Sequence, residues 1–171
     1  MPRRAPVLAL LLATALAACG GAPAGRIGPD GLPLPTVYQI TPADAQEIPY
    51  RMLDGVNTLR AAAGAAPLTL DSQLTAAAAT HAQDMQRQNR PWHFGSDGSS
   101  PLDRLRRVGY PGGLVGEAIS ETFETELETL AAWMEEPSTR SVILDRTATR
   151  MGLAWSQESN GKIWWDMVLG N

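Results

Sequence analysis

The chain has a single cysteine, Cys19, so no intrachain disulfide can form and the fold must rest on packing alone. Histidine is scarce too: His81 and His93 are the only imidazoles available for metal or acid–base chemistry. Positive charge is in short supply, with 14 Lys and Arg against 18 Asp and Glu and a formal net charge of -4. That balance argues against nucleic acid and against adhesion to anionic lipid headgroups. Several familiar sites are missing altogether. There is no GxSxG elbow, no phosphate-binding P-loop, no GxGxxG after a strand, no HExxH and no cysteine pair for zinc. At 171 residues, with an ordinary apolar content, one domain with a genuine core is expected.

The longest apolar stretch lies at the start. Residues 1–18, MPRRAPVLALLLATALAA, place two arginines before an Ala-rich run too short for a comfortable membrane span, which is the pattern of a secretory signal. It ends in Leu16-Ala17-Ala18-Cys19-Gly20, which resembles the bacterial lipobox, where the cysteine becomes the first mature residue and carries the lipid. Cysteine catalysis is then excluded, and acyl chains on Cys19 would hold the protein to a membrane. Removing residues 1–18 takes away Arg3 and Arg4 and no acid, so the net charge falls from -4 to -6. Gly20, not the aspartate that retains lipoproteins at an inner membrane, is compatible with delivery to the periplasmic side of an outer membrane if the cell has two.

Residues 19–42 comprise the lipidated cysteine and a Gly- and Pro-rich tether, and residues 43–171 the folded domain. The first helix is predicted from Pro49 to Ala63, with Met52, Val56, Leu59 and Ala63 on one face. Asp71 is placed to cap a second helix to about Asn89, whose stripe Leu74, Ala78, His81, Met85 puts His81 on the buried face, as a ligand or base or, the favoured reading because no acid sits beside it in the stripe, as a core histidine bonded to a backbone carbonyl. Ser100-Pro101 starts a short helix to Val108 whose Asp103, Arg104, Arg106 and Arg107 read as a mostly solvated face. Leu114 to Ser120 reads as a strand with Val115, Glu117 and Ile119 on one side, and a carboxylate flanked by two aliphatic residues on one face is unusual.

Thr122 is placed to cap a helix to Met134, with Phe123, Leu127, Leu130 and Met134 inward and Glu124, Glu126 and Glu128 outward; Pro137 breaks it before a further turn or two to Leu144. Met151–Ser156 and Lys162–Leu169 form a hairpin about Asn160-Gly161, the second strand covered on both faces. The sum is an α+β fold, a three-layer α/β/α sandwich with a central antiparallel sheet.

Two residues stand out chemically: His93 on the loop after the second helix and Glu117 on the next strand. Imidazole and carboxylate together serve a divalent ion or general acid–base work, while the bland reading is a hydrogen bond tying loop to sheet. Ser96 and Ser99, the serines nearest His93, sit in a turn that suits backbone geometry better than a nucleophile. Further ligands would have to come from the segment between Trp133 and Arg140, whose acids are Glu135 and Glu136.

The succession NTLRAAAGAAPLTLDSQLTAAAATHAQDM from Asn57, HFGSDGSSPLDRLRRVGY, GEAI, WMEEPSTRSVIL, TATRMGLAW and IWWDMVLG resembles the bacterial branch of the CAP superfamily, which takes in cysteine-rich secretory proteins, antigen 5 and plant pathogenesis-related proteins. The resemblance implies an α/β/α sandwich and a central cavity lined by two histidines and two glutamates. His93 matches the first histidine and Glu117 the glutamate of the GEN motif, with Ala118 in place of the asparagine. Glu136 stands where some members have the second glutamate, and Thr139 where the second histidine is expected.

Thr139 cannot replace an imidazole for a borderline-soft cation, so His93 and Glu117 would hold a divalent ion only weakly. The expected function is that of an envelope lipoprotein whose CAP domain binds a lipid, a small molecule or a partner protein in a cavity around His93, Glu117, Glu136 and Thr139. A metal-assisted or His/Glu hydrolase and a structural domain with a degenerate cavity are the alternatives. Enzymatic activity is the less expected outcome because Thr139 removes a second base or ligand.

Overall fold

A computed structural model describes residues 37–122 and 124–171. The signal segment, Cys19, the tether up to residue 36 and Phe123 lie outside the described residues. The elements, in chain order, are α1 (Pro42–Ala62), β1 (Thr69–Leu70), α2 (Ser72–Gln88), α3 (Pro101–Arg107), β2 (Leu114–Thr122), α4 (Glu126–Glu135), α5 (Pro137–Ile143), β3 (Arg150–Gln157) and β4 (Ile163–Gly170). Among the described residues no helix is long and apolar enough to cross a membrane.

The first helix begins two turns earlier than its apolar pattern suggests. Thr41 caps it by accepting from the Asp44 N–H while the Asp44 carboxylate takes the Thr41 N–H, and Pro42 occupies the first position. Pro49, expected as the start, lies inside the helix, where it has no N–H to give to the carbonyl four residues back. The residues just before the cap belong to the domain, not to the tether. The Gln157 side chain accepts from the Ile40 N–H at 2.9 Å and donates to the Tyr38 carbonyl at 2.9 Å.

The sheet order is β1-β3-β4-β2. β2, β3 and β4 are antiparallel, as expected, whereas β1 adds two residues parallel to β3 and makes the sheet mixed. Two residues are too few to leave a periodic signature, so the pattern hides β1. The hairpin connection between β3 and β4 is longer than the two residues expected, running through residues 158–162 with Gly161 at φ +94°. β4 is buried from end to end because helices cover both faces.

One layer is α1, α4 and α5, packed through Ile48, Met52, Val56, Leu130, Trp133 and Ile143 onto Trp165 and Met167. The other is α2 and α3, packed through Leu74, Ala77, Ala78 and Leu105 onto Ala154 and Val168. α4 is capped by Thr125 rather than Thr122, which turns Glu126 into the core to meet Arg51 at 2.6 Å instead of facing water. Leu127 is consequently exposed.

Two features hold the layers at their spacing. A Cβ on Gly152 would lie 2.2 Å from the Leu74 carbonyl carbon, so glycine in β3 lets the start of α2 rest directly on the sheet. Arg60, fully buried at the end of α1, donates to the carbonyls of Ala66 (2.8 Å), Ile143 (2.7 Å), Asp145 (2.9 Å) and Ala148 (3.1 Å). Its guanidinium thereby satisfies carbonyls of the irregular segments around it, joining the Ala148 N–H at the Asp145 carbonyl.

Candidate functional site

The site forms where the loop after α2 crosses the sheet. Asn89, in the left-handed conformation at φ 48°, ends α2 and reverses the chain. Trp92 is fixed by its indole N–H to the Gln88 side-chain oxygen at 2.9 Å and by the Arg90 guanidinium 3.8 Å above its ring. The loop then doubles back under Asp84. This carboxylate accepts from the Ser96 N–H at 2.6 Å and the Ser96 hydroxyl at 2.8 Å. Burial would raise the Asp84 pKa, but the Ser96 and Arg87 bonds outweigh it and hold the group below its ordinary value.

That loop delivers His93 to Glu117. His93 Nδ1 donates to Glu117 Oε2 at 2.8 Å, with the His93 side chain 51% exposed and the Glu117 side chain 2% exposed. The other oxygen, Oε1, accepts from Arg104 Nη2 at 2.6 Å, and Arg104 Nη1 reaches the carbonyls of His93 (3.1 Å) and Ser99 (3.2 Å). Arg104, expected on a solvated face, is instead buried. Ser100 and Asp103 form a capping box that starts α3 with Arg104 facing the sheet. A buried carboxylate needs such a partner, and Arg104 supplies it under the loop.

β2 presents Glu117 through its register with β4, Glu117 opposite Val168 on the face covered by α2. A register shift at Leu114–Gly116 breaks the expected alternation: Val115 packs against the core cluster that holds Ala118, not beside Glu117. His81 behaves as the sequence suggests in one respect, its Nε2 donating to the Trp92 carbonyl at 2.9 Å. It also lies 4.0 Å from Glu117 Oε2, and burial pushes its pKa down.

Glu136 and Thr139 are engaged elsewhere. The Glu136 carboxylate caps α5 by accepting from the Ser138 N–H at 3.4 Å and hydroxyl at 3.1 Å. The Thr139 hydroxyl is bonded to the Trp133 and Glu136 carbonyls, closing the junction of α4 and α5. Both are therefore joined by hydrogen bonds to their own helical corner, and the structure brings together only His93 and Glu117 of the four expected cavity residues. With His93 on one Glu117 oxygen and Arg104 on the other, both oxygens of the carboxylate expected to hold an ion with His93 are engaged by protein donors. Sequence reasoning missed Arg104, whose burial has no local signature.

Comparison with known proteins places this geometry. The profile of the family described as "CAP: Cysteine-rich secretory protein family" matches residues 53–168. The chain belongs to the CAP family. It is 27% identical over 129 residues to the uncharacterized protein YkwD of Bacillus subtilis, a match that covers 75% of this chain and 49% of that protein, so the chain spans about half the length of that relative. Among solved structures it superposes on an outer surface protein of Borrelia burgdorferi with a TM-score of 0.69 at 17% identity, covering 75% of this chain and 95% of that one. An extracellular protein with an SCP domain from Bacillus anthracis gives 0.64 at 22% identity, covering 78% and 45%. At these identities the likeness is one of fold, and it is the CAP fold of helices around a mixed four-strand sheet. His93 and Glu117 thus lie within the matched CAP region, and Thr139 stands in it without an imidazole.

Proposed function

We propose that this CAP protein is an exported lipoprotein, anchored through Cys19, whose domain binds a small ligand or partner at the surface formed by His93 and its flanking rings. The observation that carries the reading is a half-exposed imidazole held by a buried, charge-compensated carboxylate. Nδ1 is committed to Glu117, so Nε2 is the nitrogen left for a ligand. Trp92 and Phe94 stand either side of it in sequence, ring centroids 5.6 Å apart, with Phe94 48% exposed. An exposed imidazole whose chain neighbours carry a paired and partly exposed aromatic surface suits a ligand with an apolar body and one polar group.

The same orientation favours a second reading. A histidine whose Nδ1–H is held by a carboxylate is oriented to use Nε2 as a general base, and the attacking group would then be water, because the Ser96 hydroxyl is committed to Asp84. The test is native mass spectrometry of the full chain purified from its membrane, beside His93→Ala. A small molecule carried by wild type and lost from the variant is the expected result. Equal occupancy in both, or none in either, would sink binding at His93. Metabolic labelling with a radioactive fatty acid tests the anchor: label retained by Cys19→Ala would exclude lipidation at that residue.

A further inference from the structure

On the side of the sheet away from Glu117 the edge is only partly covered. β3 pairs with β4 along its whole length, from Arg150 to Gln157, but with β1 only through Arg150 and Met151. The chain leaves this edge at Asp71, whose N–H donates to the Met151 carbonyl at 2.9 Å before α2 begins. Main-chain groups of an antiparallel strand point alternately to its two sides. Since the Met151 carbonyl faces β1, Leu153 and Trp155 turn their N–H and C=O groups the same way, and among the described residues nothing pairs with them.

A groove of about 300 Å³ runs along that stretch. Leu153, Ala154 and Trp155 line it together with Ala45 and Pro49 of α1 and Thr75 of α2. α1 and α2 cover opposite faces of the sheet, so the groove is the gap between them at the edge of the strand. Leu153 is 1% exposed and Trp155 half-buried, so the unpaired main chain there is poorly hydrated, which is costly. Edge strands are ordinarily guarded by lysine, proline or an inward charge, and residues 152–157, GLAWSQ, contain none of these.

We propose that this groove takes an uncharged, extended peptide segment of a partner protein, which joins the sheet as a strand beside β3. The unpaired donors and acceptors recur at the strand repeat, and another strand is what matches them. None of the six lining residues is charged, so a lysine or aspartate carried into the groove would lose its water without gaining a partner. A second copy of the chain fits less well, because its own α1 and α2 flank its β3 and would meet their counterparts before the two strands could pair. The surface is separate from the one around His93, since β4 stands between β3 and the strand that carries Glu117.

The test is ¹⁵N NMR of the full chain, titrated with a blocked peptide of alternating valine and threonine and, separately, with the same peptide methylated at every amide nitrogen. The first peptide is expected to shift the amides of Leu153 and Trp155 and slow their exchange with deuterium, leaving those of His93 and Glu117 in place. The methylated peptide keeps the side chains but has no N–H to give, and should bind at least about tenfold more weakly. Ala45→Trp sets a bulky ring on the rim of the groove at an exposed helix position and should weaken binding by a similar factor. Near-UV circular dichroism reports whether that variant is folded, and should it not be, the two peptides on wild type still decide. No shift at Leu153 and Trp155, equal binding of the methylated peptide, or undiminished binding by folded Ala45→Trp would each overturn the proposal. Shifts of the same two amides with protein concentration alone would give the edge to a second copy and overturn it equally.

Discussion

Glu117 is the residue on which the site depends, and its charge is tolerable in the interior because Arg104 and His93 each take one oxygen. Of these, Arg104 is the more consequential, being 4% exposed and also bonded to two loop carbonyls. Arg104→Met keeps much of the side-chain volume but strands the carboxylate. We expect a loss of about 3–5 kcal/mol, read from urea denaturation, since removing one partner of a buried pair leaves the other uncompensated. An exposed arginine would lose almost nothing. The sequence shows Arg104 only as one of three arginines in a short basic stretch; which of them turns inward depends on the start of α3, fixed by Ser100 and Asp103, and on the sheet it packs against.

At the scale of elements, the approach of α2 to the sheet decides where His81 and the loop bearing His93 come to rest. Gly152 sets that approach, with the Leu74 and Thr75 backbone within 2.3 Å of where a Cβ would be. Gly152→Ala should destabilise the domain by about 3 kcal/mol or more, because the clash is with main chain that cannot rotate away. Guanidinium-induced unfolding measures it, and an unchanged midpoint would contradict the close packing. The helices themselves were legible in outline. α2 announces itself through Asp71 and a regular apolar stripe, and α3 and α5 through Ser100-Pro101 and Pro137. The start of α1 was not, because Pro49 imitates a first-turn proline while the true cap, Thr41 with Asp44, lies in a stretch whose Gly and Pro content resembles a tether.

For the molecule as a whole, the buried acid on β4 ties stability to pH. Burial, with Glu117 adding to it and Arg104 opposing it, raises the Asp166 pKa well above its ordinary 3.8. The native state thus holds a proton that the unfolded chain releases. The contribution is complete below the unfolded pKa and declines as pH rises through the folded one. Thermal melts of wild type should show a midpoint falling as pH is raised from about 4, whereas Asp166→Asn, which cannot ionise, should show a flatter profile. Parallel profiles would mean that Asp166 does not titrate between the two states.

The sequence by itself determined the family pattern, the order of the later elements, and that the chain must fold without disulfides, because these follow from local periodicity, caps and composition. It also pointed to His93 and Glu117, whose motifs are contiguous. Only the tertiary structure decided that Arg104 and Asp166 belong beside them, that Glu136 and Thr139 close a helical corner, and that β1 joins the sheet. Each of those facts depends on which residues, tens of positions apart, are pressed together when water is excluded, and burial of that kind leaves no mark on the neighbouring letters.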